Sequence, residues 1–152
     1  MYNTHLEVKN YGVFKILVPV AGSEADKEAI RLACSLANKK NRGKICAVYV
    51  IKVKRALPLD AEIDPEIKEA EDVLDRMERI AEEQDCEIET ELLQAREVGP
   101  TIVDEAAERN ADLILMGTPY KTHFGQFSLG DIVPYVLKNA PCRVILYYQP
   151  AI

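Results

Sequence analysis

The chain has 152 residues, with 48% hydrophobic and 29% charged residues and a formal net charge of −6. A chain of this length and composition buries one core without disulfide or metal staples. The acidic balance excludes broad nucleic-acid binding, which needs a basic face against phosphates, and it disfavours docking on an anionic membrane.

Residues 1–13 are mixed in polarity and lack periodicity, so they read as an N-terminal extension: a loose arm, an added edge strand or a partner contact. The remainder, 14–152, reads as a single domain. No apolar core of the signal-peptide kind lies in residues 1–10, and no run approaches the ~18 apolar residues of a membrane span, so a cytoplasmic protein is expected. The four cysteines, Cys34, Cys46, Cys86 and Cys142, show no C-x-x-C and no paired histidine. They read as free thiols in a reducing compartment rather than zinc ligands.

The first element is the apolar, β-branched run 14–20, suited to a strand covered on both faces. Gly22 turns the chain, and Ser23 with Asp26 three residues on reads as a helix N-cap. The helix carries a stripe of Ala29, Ile30, Ala33, Leu36 and Ala37, and the run 41–43 ends it. A second strand spans 45–51, followed by a loop from Lys52 to Ile63 that is basic at its start. Asp64 then reads as a cap with Pro65 at the first helical position. Ile67, Ala70, Leu74, Met77 and Ala81 form the apolar face of this helix, and its charged faces read as solvated surface.

In residues 86–93, Ile88, Thr90 and Leu92 alternate with Glu87, Glu89 and Glu91, which places this third strand at a sheet edge. Gly99-Pro100 starts a short helix that Asn110 closes. A fourth strand spans 111–116, a loop runs from 117 to 129, a helix covers 131–138, and the last strand is 143–148. Strands and helices alternate throughout, so the expected fold is α/β, an open parallel sheet with helices on both faces.

Ligands of such sheets sit beyond the carboxyl ends of the strands, where the strand order reverses. The segments 20–23 and 116–118 are therefore the candidates. Gly117 frees the backbone for close approach or positive φ, and Gly130 stands where amides of a helix N-terminus hold anions. The plainer reading of both is turn and cap glycines. Lys121 and His123 share the loop and offer contacts to an anion or a partner, although a solvated loop histidine is the simpler account. Ser23 has no adjacent base and reads as a cap, and the pairs Asp64/Glu66 and Glu82/Glu83 read as helix surface. There is no P-loop and no G-x-G-x-x-G. No catalytic set and no metal cluster is found, so the chain is expected not to be an enzyme.

The segment Ile16-Leu17-Val18-Pro19-Val20-Ala21-Gly22-Ser23 resembles the opening strand of the universal stress protein (UspA-like) family, V-P-x-D-G-S. Asp112-Leu113-Ile114-Leu115-Met116-Gly117-Thr118 resembles its fourth strand, and Gly99-Pro100 a pair common after its third. Gly130, Val133, Val136-Leu137 and Ala140-Pro141-Cys142-Arg143-Val144 are similar to its closing segment. The resemblance spans about residues 14–148 and implies the strand order 3-2-1-4-5 of adenine nucleotide alpha hydrolase-like folds. It also implies a homodimer formed through the last strand, with an unidentified protein partner left open.

Some members bind ATP through G-x-x-G-(x9)-G-[ST], an Asp after strand one and a Val on strand two. Carried over, Val50, Met116, Gly117 and Gly130 are the nucleotide-binding positions. The chain departs from the pattern at three places: Ala21 replaces the Asp, Tyr120 the middle glycine, and Asp131 the Ser/Thr. Asp131 is expected to cap the final helix and set a negative charge where the family holds phosphate. The resemblance with these departures implies a non-catalytic stress-response or regulatory domain with a degenerate pocket and weak or absent ATP binding. The alternative is a nucleotide sensor that takes ATP or AMP, with Mg2+.

Overall fold

A computed structural model describes residues 13–120, 122–123 and 126–150. Apart from Val13, the extension expected over 1–13 lies outside the described residues, as do Lys121 and the side chain of His123.

Strand β1 (Lys15–Pro19) buries Ile16, Leu17 and Val18, so both of its faces are covered, as its unbroken apolar run requires. Helix α1 (Glu24–Leu36) begins on a full capping box. The Ser23 hydroxyl accepts from the Asp26 amide at 3.2 Å, while Asp26 Oδ2 accepts from Ser23 N at 3.0 Å. The helix ends at Leu36, earlier than the sequence indicated. Asn38 and Asn41 exchange side chain–backbone bonds there, and Arg42 takes φ +53° beyond them.

Strand β2 (Lys44–Lys52) follows, then α2 (Asp64–Glu82), β3 (Glu89–Ala95), α3 (Val98–Glu108), β4 (Leu113–Pro119), α4 (Ile132–Asn139) and β7 (Arg143–Gln149). Between β4 and α4 lie two two-residue strands, β5 (Thr122–His123) and β6 (Gln126–Phe127), paired antiparallel. The five long strands form one parallel sheet in the order β3-β2-β1-β4-β7. With the small hairpin set aside this is the expected order 3-2-1-4-5.

Side chains of alternating parity feed two cores. On one face Ile16, Val18, Ile45, Ala47, Leu113 and Leu115 meet Ala29, Ile30 and Ala33 of α1 and Val73, Leu74 and Met77 of α2. On the other, Leu17, Cys46, Val48, Ile114 and Met116 meet Ile102 and Ala106 of α3 and Val133 and Val136 of α4. The period of two along each strand assigns each residue to its layer.

Several local expectations shift. Ile63, not Asp64, is the N-cap of α2, and Pro65 takes the second helical position; the Asp64 carboxylate lies in the first turn, where the helix dipole favours it. Strand β3 starts at Glu89 rather than 86, because Asp85 turns at φ +53° and the Cys86 amide is still bonded to Ala81 O at 3.0 Å. It is an edge strand, as its alternation indicated. Arg109 clamps it to α3, donating to Glu105 at 2.7 Å, Glu91 at 3.0 Å and Glu89 at 3.4 Å. Strand β4 runs three residues past Met116: Gly117, Thr118 and Pro119 pair with Tyr147, Tyr148 and Gln149. The loop expected from 117 therefore begins only after the strand has ended.

Candidate functional site

β1 pairs with β4 only at Ile16↔Leu113 and Leu17↔Ile114. Beyond those residues β1 stays with β2 as far as Pro19, and β4 stays with β7 as far as Pro119. The sheet thus parts between the carboxyl halves of its two central strands, at the point where the strand order reverses. This is where open α/β sheets place ligands.

The N-terminus of α1 closes one side of the parting. A Cβ built on Gly117 would lie 2.3 Å from Ala25 O and 2.5 Å from Ala25 C. Gly117 therefore serves a close approach, as expected, but the partner on this face is the backbone of α1. The preceding loop is drawn inward by Asp26, whose Oδ2 accepts from the amides of Ala21 (2.7 Å), Gly22 (2.8 Å) and Ser23 (3.0 Å). Three successive N–H groups converging in this way form an anion-binding concavity, and here the protein's own carboxylate fills it. Burial pushes the Asp26 carboxyl above its ordinary value, against the opposing pull of those amides and Ser23.

The other side is lined differently. Val50 and Met116 both belong to the layer shared with α3 and α4, together with Leu93 and Val98. Next to that layer lies a cleft of about 550 Å3. Lys52, Lys54 and Arg55 border it from the end of β2, Arg96 from the end of β3, and the first turns of α3 and α4 complete it. The wall that carries the cations is held in place from the edge strand. Arg96 Nη1 donates to Lys54 O at 2.6 Å, and Gln94 Nε2 donates to Leu59 O at 2.9 Å and Ala61 O at 2.8 Å.

Helices α3 and α4 open alike. Each has proline at its third position, Pro100 and Pro134, and neither N-cap residue, Glu97 nor Asp131, makes a side-chain capping bond. The expected cap by Asp131 does not form, for two reasons. Its backbone is helical (φ −98°, ψ −31°), whereas a capping residue needs an extended one, and Pro134 removes one of the N–H groups such a cap would bind. Two helix N-termini with their positive dipole ends thus face one cleft with four cations and two carboxylates, Glu97 and Asp131.

Gly130 has φ +74°, which explains the glycine, and its amide donates to Ser128 Oγ at 3.0 Å. Tyr120 is 41% exposed, and its amide donates to Gln149 O at 2.9 Å, extending the β4–β7 ladder. The site residues carried over from the family pattern thus divide. Val50 and Met116 share the apolar layer under α3 and α4, Gly117 packs against α1, and Gly130 shapes the entry to α4. The cations at 52, 54, 55 and 96 were not singled out from the sequence. Their signal was present in three basic residues within four positions, directly after the carboxyl end of a buried parallel strand. Among the described residues no group of three or more His, Cys, Asp or Glu is placed to hold a metal ion. No described helix is long and apolar enough to cross a membrane.

A parallel sheet of this order, parted at its reversal point, with a cation-lined cleft at the carboxyl ends of β2 and β3, defines the open α/β class whose ligands sit at the carboxyl edge. The model of the universal stress protein family matches residues 12–147, and the chain belongs to that family. It is 34% identical over 142 residues to universal stress protein MJ0531 of Methanocaldococcus jannaschii, covering 90% of this chain and 82% of that one. Among solved structures, the universal stress protein of Archaeoglobus fulgidus in complex with dAMP aligns with a TM-score of 0.70 at 24% identity. That alignment covers 88% of this chain and 96% of the other. A universal stress protein family protein of Arabidopsis thaliana with AMP bound aligns with a TM-score of 0.62 at 17% identity, covering 90% and 92%.

Proposed function

We propose that this domain is a non-catalytic cytoplasmic regulator that binds an adenine nucleotide in the cleft between the ends of β2 and β3 and the first turns of α3 and α4, and that it works as a homodimer through β7. The observation that carries the nucleotide reading is the convergence of Lys52, Lys54, Arg55, Arg96 and two helix N-termini on one cleft. Cations and uncapped amides suit phosphate, and Val98, Ile132 and Tyr135 in the lining offer apolar surface to a purine. The dAMP and AMP held by two proteins of the same fold support the same chemistry.

The expectation of a degenerate pocket rested on Ala21, Tyr120 and Asp131. In the structure the Asp131 carboxylate caps no helix, while the Tyr120 side chain stays exposed and its amide is engaged in the sheet ladder. The adenine nucleotides held by proteins of this fold make the nucleotide-sensor reading the better supported one. Asp131 still lines the cleft, and one carboxylate opposing a polyphosphate costs on the order of a kcal/mol at an effective dielectric of ~20 or more. AMP is accordingly favoured over ATP unless Mg2+ bridges the two charges.

The test is a thermal-shift series with AMP, ADP and ATP, each with and without Mg2+. A nucleotide at 100 times its Kd adds about 2.7 kcal/mol of stability, so modest affinity is visible. The double variant Lys54→Glu/Arg55→Glu should lose the shift, and Asp131→Ser should raise the response to ATP relative to AMP. No shift with any adenine nucleotide at millimolar concentration overturns the proposal.

A further inference from the structure

At the opposite, amino edge of the sheet, α1 and α2 bring two cysteines together. Cys34 lies in the last turn of α1, and Cys86 follows the turn that ends α2, its amide fixed on Ala81 O at 3.0 Å. The two helices pack through Ile30, Ala33, Met77 and Ala81, and both cysteines lie against that same layer. Both also border one open groove of about 1000 Å3, so solvent and small solutes reach them. The two thiols lie close enough for each to affect the other, and both are free. Cys46 and Cys142 belong to the layer on the other side of the sheet, which separates them from this pair.

We propose that Cys34 and Cys86 are a reversible intramolecular disulfide site, closed by hydrogen peroxide and reopened by dithiols. Cys86 attacks one peroxide oxygen; the O–O bond breaks, Cys86 becomes a sulfenic acid, and hydroxide leaves with the thiol's proton as water. The Cys34 sulfur then attacks the Cys86 sulfur; the S–O bond breaks, the S–S bond forms, and a second water leaves with the Cys34 proton. Two thiols are oxidised and one peroxide is reduced to two waters. Burial foremost, and the hydrogen bond to Cys86, push the Cys34 thiol up to about 12, so Cys34 is the resolving sulfur and closure speeds up as pH rises. The bond ties α1 to the segment between α2 and β3 and restricts the unfolded chain, so it raises Tm.

The test treats the folded full-length chain with hydrogen peroxide and then quenches it. The expected product has lost two hydrogen atoms in mass, titrates two thiols in place of four, and yields a peptide joining Cys34 to Cys86. Dithiothreitol restores the starting mass and the lower Tm. The variant Cys34→Ser should instead accumulate a Cys86 sulfenic acid that dimedone captures, and Cys46→Ala/Cys142→Ala should close the link as the native chain does. Four thiols remaining after peroxide, a link through Cys46 or Cys142, or a sulfenic acid that persists in the native chain as it does in Cys34→Ser overturns the proposal.

Discussion

Asp26 is where a single carboxylate does two jobs, capping α1 and organising the turn that precedes it. Its Oδ2 gathers three backbone amides while the side chain is almost wholly removed from solvent, 4% exposed. Burial disfavours the ionised form, and the folded-state pKa lies above the ordinary value of 3.8. The folded chain therefore holds this proton more tightly than the unfolded chain does. The stability that Asp26 contributes through this linkage is fully present below the unfolded value and is lost as pH rises through the folded one. Asp26→Asn keeps an acceptor for the amides and removes the charge. Urea midpoints of native and Asp26→Asn protein between about pH 3 and pH 7 should show the native chain losing ground to the variant as pH rises. Parallel curves, or the opposite trend, would refute the burial argument. Asp26→Ala should cost about 1–3 kcal/mol at neutral pH by stranding those amides.

At the scale of elements, Gly117 sets how closely α1 lies on β4. A methyl group there would meet the Ala25 carbonyl at 2.3 Å, a backbone atom that cannot rotate away. Gly117→Ala should push the start of α1 outward and cost roughly 1–3 kcal/mol, read as a lower urea midpoint with an unchanged slope. A variant as stable as the native chain would show that α1 shifts freely. Gly117 also marks how far the sequence could be read. The apolar runs at 14–20, 45–51 and 111–116, and the glutamate alternation of β3, were legible because burial on two faces, or on one, writes itself into residue order. The neighbour of Gly117 was not, since the sequence flags a close approach without naming what approaches. The end of β4 was hidden for a related reason: Gly117 and Pro119 read as breakers, yet pairing with β7 carries them as strand. Asp131 followed the capping rule by residue type, and its backbone angles together with Pro134 overrode the rule.

For the whole molecule, the proposed dimer rests on the outer side of β7. Among the described residues this strand has β4 on one side and is the last of the sheet, and its seven residues include one charge, Arg143, and no proline. Ile145 is 38% exposed, and Leu137 and Ile132 of α4 are exposed as well. An edge strand without inward charges, bulges or proline invites pairing with another strand. A two-fold operation pairs β7 with its own copy and joins two sheets into one. Each chain carries a formal charge of −6, so the copies repel at long range, and added salt should strengthen the association. Sedimentation at micromolar concentration should therefore show a dimer that tightens between low and moderate ionic strength. Ile145→Lys places a charge in the middle of the edge and should leave a monomer, while the thermal shift with AMP persists because the cleft draws on β2, β3, α3 and α4. A native monomer, or a variant that remains dimeric, would rule out β7 as the interface and leave the nucleotide proposal standing on its own evidence.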